Sequence, residues 1–200
     1  MHKYKPIAEQ LLAQILDSPY GRWVLMNMLV WSLGLYAIAF SIRLFGIMGA
    51  PIGVILAGSV VGAGQSWVLQ QLLPIAPRQW TRSSVLGTVL GVLPIGLLFL
   101  WVLLVAAIGL NSVLFILGAI FGGILGASQV RILHSILDEK VAWWVLANIL
   151  AGALCAPLSL SGVTFVLPVF CSLGPLTFGL LTAWALRYLM QSWDDELDEA

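Results

Sequence analysis

Five polar side chains interrupt segments that are otherwise almost entirely apolar. They carry amide or hydroxyl groups, which donate and accept hydrogen bonds without titrating: Asn27, Gln65, Ser84, Gln129 and Asn148. In apolar surroundings such groups are costly unless each finds a partner. Either the side chains bond to one another as a clasp between helices, or they line a small vestibule. Such a vestibule would bind a polar ligand, a lipid headgroup or a metal-bearing pigment through an amide oxygen. Interhelical bonds of about 0.6–2 kcal/mol each favour the clasp.

The groups needed for acid–base or metal chemistry lie elsewhere. All nine carboxylates belong to the terminal arms or to the Asp138-Glu139 pair, so none can act within an apolar segment. His2 and His134 are far apart, and Cys155 and Cys171 form no CxxC pair. We therefore expect no enzyme, no catalytic residue and no metal site, and the sequence indicates no particular cofactor.

Long apolar segments position the five polar residues. Hydrophobic residues make up 60% of the 200 residues and charged residues 9%, whereas soluble domains carry about 25% charged residues. A helix that crosses a bilayer needs about 20 apolar residues. The composition thus predicts an all-α membrane protein with six transmembrane helices. The predicted spans are 23–45, 51–73, 81–107, 112–136, 142–161 and 165–189.

Two short segments flank this predicted bundle of residues 23–189. Apolar and polar residues alternate in residues 1–22, which predicts an amphipathic helix on the cytoplasmic membrane surface. Ser18-Pro19-Tyr20-Gly21 is expected to end that helix before the first span. Residues 190–200 form an acidic cytoplasmic tail. The lipid bilayer is the expected partner, and no nucleic acid is expected.

Basic residues predict the orientation. Eight of the nine lie near the two termini or in the connections after the second and fourth spans, and only Arg43 lies on the other side. Because Lys and Arg are retained in the cytoplasm, both termini should be cytoplasmic. The predicted location is the inner (cytoplasmic) or thylakoid membrane. Short outer links would then make three antiparallel hairpins, 23–73, 81–136 and 142–189.

The three hairpins resemble copies of one unit. Each begins with a tryptophan followed four residues later by a polar residue, as in Trp23 and Asn27. The first two end alike, in Gly58-x3-Gly62-x2-Gln65-x3-Leu69 and Gly122-x3-Gly126-x2-Gln129-x3-Leu133. The third keeps Leu189 but has Thr182 and Ala185 where Gly and Gln would stand. The pattern predicts parallel repeats around an axis along the membrane normal.

Glycines at four-residue spacing predict close helix packing, since lipid offers helices no hydrophobic reason to associate. These small faces resemble glycine zippers and lie on several spans: Gly58, Gly62, Gly87, Gly91, Gly118, Gly122 and Gly126. Such faces can pack inside one chain, or they can bind a second copy or a larger membrane complex. Both uses remain open from the sequence.

Nine tryptophans fall into two groups by their position in the predicted spans. The first group lies near the cytoplasmic boundaries, where indole rings anchor a protein in the membrane: Trp23, Trp80, Trp143, Trp144 and Trp193. The second group lies deeper, where it could stack on a pigment, a quinone or a lipid chain or simply pack in the bundle: Trp31, Trp67, Trp101 and Trp184.

Three functions follow from these patterns. The predicted spans contain no charged residue away from their ends, which disfavours ion-coupled transport. We expect a noncatalytic scaffold, accessory or assembly subunit that associates through glycine-rich faces with itself or with a larger complex. A channel or facilitator for a small neutral solute is one alternative. A pigment-, quinone- or lipid-binding accessory subunit is the other.

The Gly-x3-Gly-x2-Gln-x3-Leu segments, with a tryptophan opening the next hairpin, carry a resemblance. They resemble multi-pass proteins of bacteria, especially cyanobacteria, whose hairpins end in Gly-x3-Gly-x2-Gln-Trp-x2-Leu before a Trp-rich helix start. Trp67 stands one place later than in that pattern, and Val130 replaces the aromatic residue in the second copy. The resemblance implies a repeat bundle in a photosynthetic bacterium and implies no activity.

Overall fold

The computed structural model describes the backbone of residues 17–104, 110–137, 141–163 and 173–198, and the side chains of residues 17–93, 112–137, 141–158 and 173–191. The elements in chain order are α1 (Pro19–Phe45), a 3-10 turn (Gly46–Gly49), α2 (Ala50–Leu69), α3 (Pro77–Leu104), α4 (Leu110–Leu137), α5 (Ala142–Val163) and α6 (Leu173–Asp198). The prediction of an all-α fold is confirmed for these residues.

The ends of α1 follow from local residue types. The Ser18 hydroxyl accepts a hydrogen bond from the Gly21 backbone N–H at 3.4 Å, and Pro19 fits the first turn because that turn needs no backbone donor. The first span was predicted to begin at residue 23, and α1 begins four residues earlier, because Ser18 caps a helix that includes Pro19, Tyr20 and Gly21. At the other end, Gly46 adopts a φ of 61°, which glycine tolerates without steric cost.

Length and composition allow two helical stretches of the described residues to cross a membrane. They are Pro19–Leu69, with mean hydropathy 2.1, and Ser112–Leu137, with mean hydropathy 2.0. The shorter stretch Ala142–Leu158 is also apolar. The predicted arm 1–22 lies mostly outside the described residues, as does Cys171. Helix α6 continues into the acidic tail as far as Asp198.

The helices form a closed ring in which each packs against the next and α1 packs against α6. One buried cluster joins the beginnings of α1, α3 and α5 to the C-terminal halves of α2, α4 and α6. It includes Trp23, Leu69, Trp80, Leu133, Trp144 and Leu189. Consecutive helices therefore run antiparallel, and the end of the ring that holds this cluster is called the tryptophan end.

Glycine allows α4 to approach α5 closely. A Cβ on Gly122 would overlap the Asn148 carbonyl oxygen, and a Cβ on Gly118 would overlap the Gly152 carbonyl oxygen. The other predicted packing glycines also lie against a neighbouring helix of the same chain: Gly58, Gly62, Gly87, Gly91 and Gly126. Contacts within the molecule thus occupy the glycine faces that were expected either to pack internally or to bind a partner.

Three tryptophans predicted to anchor the protein at the membrane interface are buried inside the ring. Trp23 and Trp80 are 0% exposed and Trp144 is 1% exposed. The prediction is wrong for them because a tryptophan at a helix start fits the same sequence pattern whether it faces lipid or the ring axis. Trp143 is exposed, and the side chain of Trp193 lies outside the described residues.

Candidate functional site

The three tryptophans buried at the tryptophan end each donate a hydrogen bond to a neighbouring helix. Trp80 Nε1 donates to Gln65 Oε1 at 3.3 Å, and Trp144 Nε1 donates to Gln129 Oε1 at 3.0 Å. Each of these bonds links the last helix of one hairpin to the first helix of the next. The third, from Trp23 Nε1 to Thr182 Oγ1 at 3.0 Å, links α1 to α6.

The glutamine side chains also bond within their own hairpins. Gln65 Nε2 donates to Asn27 Oδ1 at 2.8 Å, and Gln129 Nε2 donates to Ser84 Oγ at 3.0 Å. A longer contact of 3.4 Å joins Gln129 Nε2 to Gln65 Oε1. Four of the five predicted polar residues, Asn27, Gln65, Ser84 and Gln129, therefore form one connected network that reaches from α1 to α4.

Asn148, the fifth predicted residue, differs from the others. Its Nδ2 donates to the Trp144 carbonyl oxygen at 2.9 Å, as Asn27 Nδ2 does to Trp23 at the same distance. The third hairpin has Ala185 where the others have glutamine, so no glutamine amide can donate to Asn148 as Gln65 donates to Asn27. Thr182, one turn earlier, accepts the indole proton but has already given its own proton to the Phe178 carbonyl oxygen.

These side chains form a sealed layer that we call the amide layer, and it consists of Asn27, Gln65, Ser84, Gln129, Asn148 and Thr182. Each of the six is at most 1% exposed. The indole rings close the axis beside it, since Trp144 lies edge to face with both Trp23 and Trp80 at centroid distances of 6.0 Å. The geometry favours a clasp over a vestibule, because the amide oxygens are enclosed within the ring.

A cavity of about 450 Å³ lies on the other side of the amide layer from the tryptophan end. Every helix contributes to its wall, with one example from each: Trp31, Ala57, Thr88, Phe121, Cys155 and Phe178. The described residues of its lining include no charged side chain. The Thr88 hydroxyl gives its proton to the Ser84 carbonyl oxygen at 2.7 Å, so the wall presents an apolar surface.

Trp31 is the exception in this wall. Its ring packs against Phe178 and Phe121 at centroid distances of 5.2 and 5.8 Å. Its Nε1 is the one buried side-chain nitrogen or oxygen among the described residues that has no hydrogen-bond partner. Buried donors are normally paired, and an exception calls for an explanation. The nitrogen itself is enclosed by protein atoms, and the surface of the cavity is apolar.

Trp67 and Trp184, two other tryptophans predicted to lie deep in the spans, do not line this cavity. Trp67 and Trp184 are 55% and 59% exposed, so their indole groups lie on the outer surface of the protein. The side chain of Trp101 lies outside the described residues. Of the three such tryptophans whose side chains the structure describes, Trp31 alone lines the cavity.

Sequence reasoning missed two features of this site. The first is the pairing of each glutamine with the tryptophan fifteen residues later, as in Gln65 and Trp80, and this repeated spacing was available as a signal. The second is Thr182, whose partner Trp23 lies 159 residues away. No local pattern marks that pair, because only closure of the ring brings it together.

No family model matches the chain, and no curated protein or solved structure matches it either.

Proposed function

We propose that this chain is a noncatalytic integral membrane protein that holds an apolar molecule in its central cavity. The proposed ligand belongs to the pigment, quinone or lipid class. The observation that carries this proposal is the cavity itself, which all six helices line with an apolar surface that includes the Trp31 ring. Its volume falls within the range of about 300–1,000 Å³ that is usual for small-molecule sites.

Helix lengths support six membrane crossings. The shortest helix, α2, has 20 residues and the longest, α3 and α4, have 28. At about 1.5 Å per residue these lengths match a hydrocarbon core of about 30 Å. In the most apolar windows of Pro19–Leu69 and Ser112–Leu137, only 33% and 44% of residues are buried. Most of that apolar surface therefore faces outward, where lipid would cover it.

The basic residues support an orientation with the tryptophan end in the cytoplasm. Arg22, Arg78, Arg131 and Arg187 each lie one or two residues before a member of the buried cluster at this end, whereas Arg43 lies near the opposite end of α1. Retention of Lys and Arg on the cytoplasmic side then leaves both chain termini cytoplasmic. The cavity would lie in the outer half of the membrane.

The geometry favours ligand binding over the other two functions. A channel would need a path through the amide layer, whose side chains are at most 1% exposed. A scaffold that binds partners through glycine faces would need those faces free, but contacts within the chain occupy them. A partner would therefore have to bind another surface.

The test is to identify what the purified protein retains. The full chain is isolated in a mild detergent, and its bound molecules are extracted and identified by mass spectrometry. Val92→Phe fills the cavity from α3, and Leu90→Phe places the same aromatic ring on the outward face of α3, because Val92 lines the cavity and Leu90 is 45% exposed. We expect one retained molecule per chain, lost in Val92→Phe and kept in Leu90→Phe. Equal retention by the two variants, or no retained molecule beyond bulk lipid, would contradict the proposal.

A further inference from the structure

A groove of about 710 Å³ runs along the outside of the ring between α2 and α3, separate from the central cavity. Its wall includes Ile55 and Ala63 from α2 and Val85 and Leu86 from α3, with Arg78 and Arg82 at one end. Ile55 and Leu86 are 49% and 55% exposed, so the groove is open to the surroundings of the ring. It is an apolar surface groove with two positively charged side chains at one end.

The two arginines lie one helical turn apart on α3, so they share one helix face. Both side chains are exposed, and neither guanidinium group has a hydrogen bond or ion pair with any described residue. Like charges at this spacing repel each other, and an anion between them would remove that repulsion. A guanidinium group presents planar paired donors that match the oxygens of a phosphate.

The two serines in the rest of the wall have already donated their hydroxyl protons to the backbone. The Ser59 hydroxyl gives its proton to the Ile55 carbonyl oxygen at 2.8 Å, and the Ser66 hydroxyl gives its proton to the Ala63 carbonyl oxygen at 2.8 Å. The lining otherwise consists mainly of aliphatic side chains that extend along α3 as far as Val89. Between Arg78 and Val89 the helix rises by about 16 Å, which is room for a large part of an acyl chain.

We propose that this groove binds an anionic phospholipid from the leaflet at the tryptophan end. Arg78 and Arg82 hold the phosphate of the headgroup, and one acyl chain lies against the aliphatic wall. Basic pockets between helices at the cytoplasmic face are a recurrent site for anionic lipid headgroups. The inference rests on the proposed membrane insertion, but it is independent of the ligand proposed for the central cavity.

The test uses the full chain in nanodiscs made of phosphatidylcholine with a minor fraction of phosphatidylglycerol. After transfer to a mild detergent, native mass spectrometry counts the phosphatidylglycerol molecules retained per chain. We expect one retained molecule in the wild type and a loss of about tenfold in its enrichment for Arg78→Gln/Arg82→Gln. Arg131→Gln/Arg187→Gln removes the same charge from exposed arginines on other helices, and it should leave the enrichment unchanged.

Two further arms separate a lipid from a free anion. Ala63→Trp fills the groove and leaves both arginines in place, so it should lower lipid retention even though the charge is unchanged. Millimolar inorganic phosphate should fail to displace the lipid. Three results would overturn the proposal: no preference for phosphatidylglycerol, an equal loss in the control double variant, or displacement by phosphate alone. Val92→Phe should keep the phosphatidylglycerol, so failure of the cavity proposal can be told apart from failure of this one.

Discussion

Trp23 Nε1 donates a hydrogen bond to Thr182 Oγ1 at 3.0 Å, across 159 residues of sequence. The Thr182 hydroxyl gives its own proton to the Phe178 carbonyl oxygen at 2.7 Å, which orients the oxygen to accept the indole proton. Both side chains are 0% exposed. This bond joins the first described helix to the last, and it is the contact that completes the set of three tryptophan bonds around the ring.

Replacing Thr182 with valine should destabilise the ring, because it leaves the Trp23 indole N–H buried without an acceptor. The expected cost is about 1–3 kcal/mol, measured by thermal or denaturant unfolding in detergent. Thr177→Val is the matched control, since Thr177 on the same helix also gives its proton to a carbonyl four residues earlier. In a double-mutant cycle with Trp23→Phe, the two losses should be less than additive. Additive losses would mean that the bond does not stabilise the fold.

Replacing Gln65 with leucine should cost more than replacing Thr182. Gln65 accepts from Trp80 and donates to Asn27, so two buried groups lose their partner, at about 1–3 kcal/mol each. The measurement is unfolding in detergent, together with the content of retained ligand at a temperature where the variant is folded. A clasp predicts lower stability with unchanged ligand content. Loss of ligand with unchanged stability would instead place the amide layer in the binding site.

Gly122→Ala should separate α4 from α5. The added Cβ would overlap the Asn148 carbonyl oxygen, and a backbone atom cannot rotate away as a side chain can. We expect a loss of about 1–3 kcal/mol, although alanine by itself favours a helix. Gly123→Ala is the control, since its Cβ would meet only the Ile149 side chain, at 3.2 Å. Equal stability of the two variants in thermal unfolding would refute this account of the glycine packing.

Trp31→Phe should distinguish the indole ring from its N–H group. The variant keeps an aromatic ring against Phe121 and Phe178 but removes the unpaired donor. We expect equal or higher stability in thermal unfolding, because no buried donor is left unpaired, and unchanged retention of ligand, because Nε1 is enclosed by protein atoms. Trp67→Phe, at an exposed position, should change neither quantity. Lower stability of Trp31→Phe would contradict this account of the unpaired donor.

Labelling of single cysteines should locate the two ends of the ring. In a Cys155→Ala/Cys171→Ala background, a membrane-impermeant maleimide applied to intact cells should label Met48→Cys and should not label Ser135→Cys. Met48 lies in the exposed turn after α1, and Ser135 lies in the last turn of α4 at the tryptophan end. After the cells are opened, both should react. Labelling of both positions in intact cells would contradict the six-span orientation.

Much of this architecture is readable from local sequence. Long apolar segments with charges confined to their ends form helices, because a backbone in apolar surroundings must satisfy its own hydrogen bonds. Ser18 and Gly46 mark the ends of α1 because capping and positive φ depend on neighbouring residues alone. The buried amides Gln65 and Gln129 stand out for the same reason, since a polar group within such a segment needs a partner wherever the helix lies.

Other features depend on which helices become neighbours. Trp23 and Trp143 both stand near helix starts, yet the first is buried and the second is 42% exposed, since the rotation of each helix comes from its packing. The pairing of Trp23 with Thr182 and the placing of Trp31 on a cavity wall require α1 to meet α6. Residue periodicity determines which segments are helices and what they must bury. Only closure of the ring determines the partners, because contacts between distant residues leave no trace in the local pattern of either one.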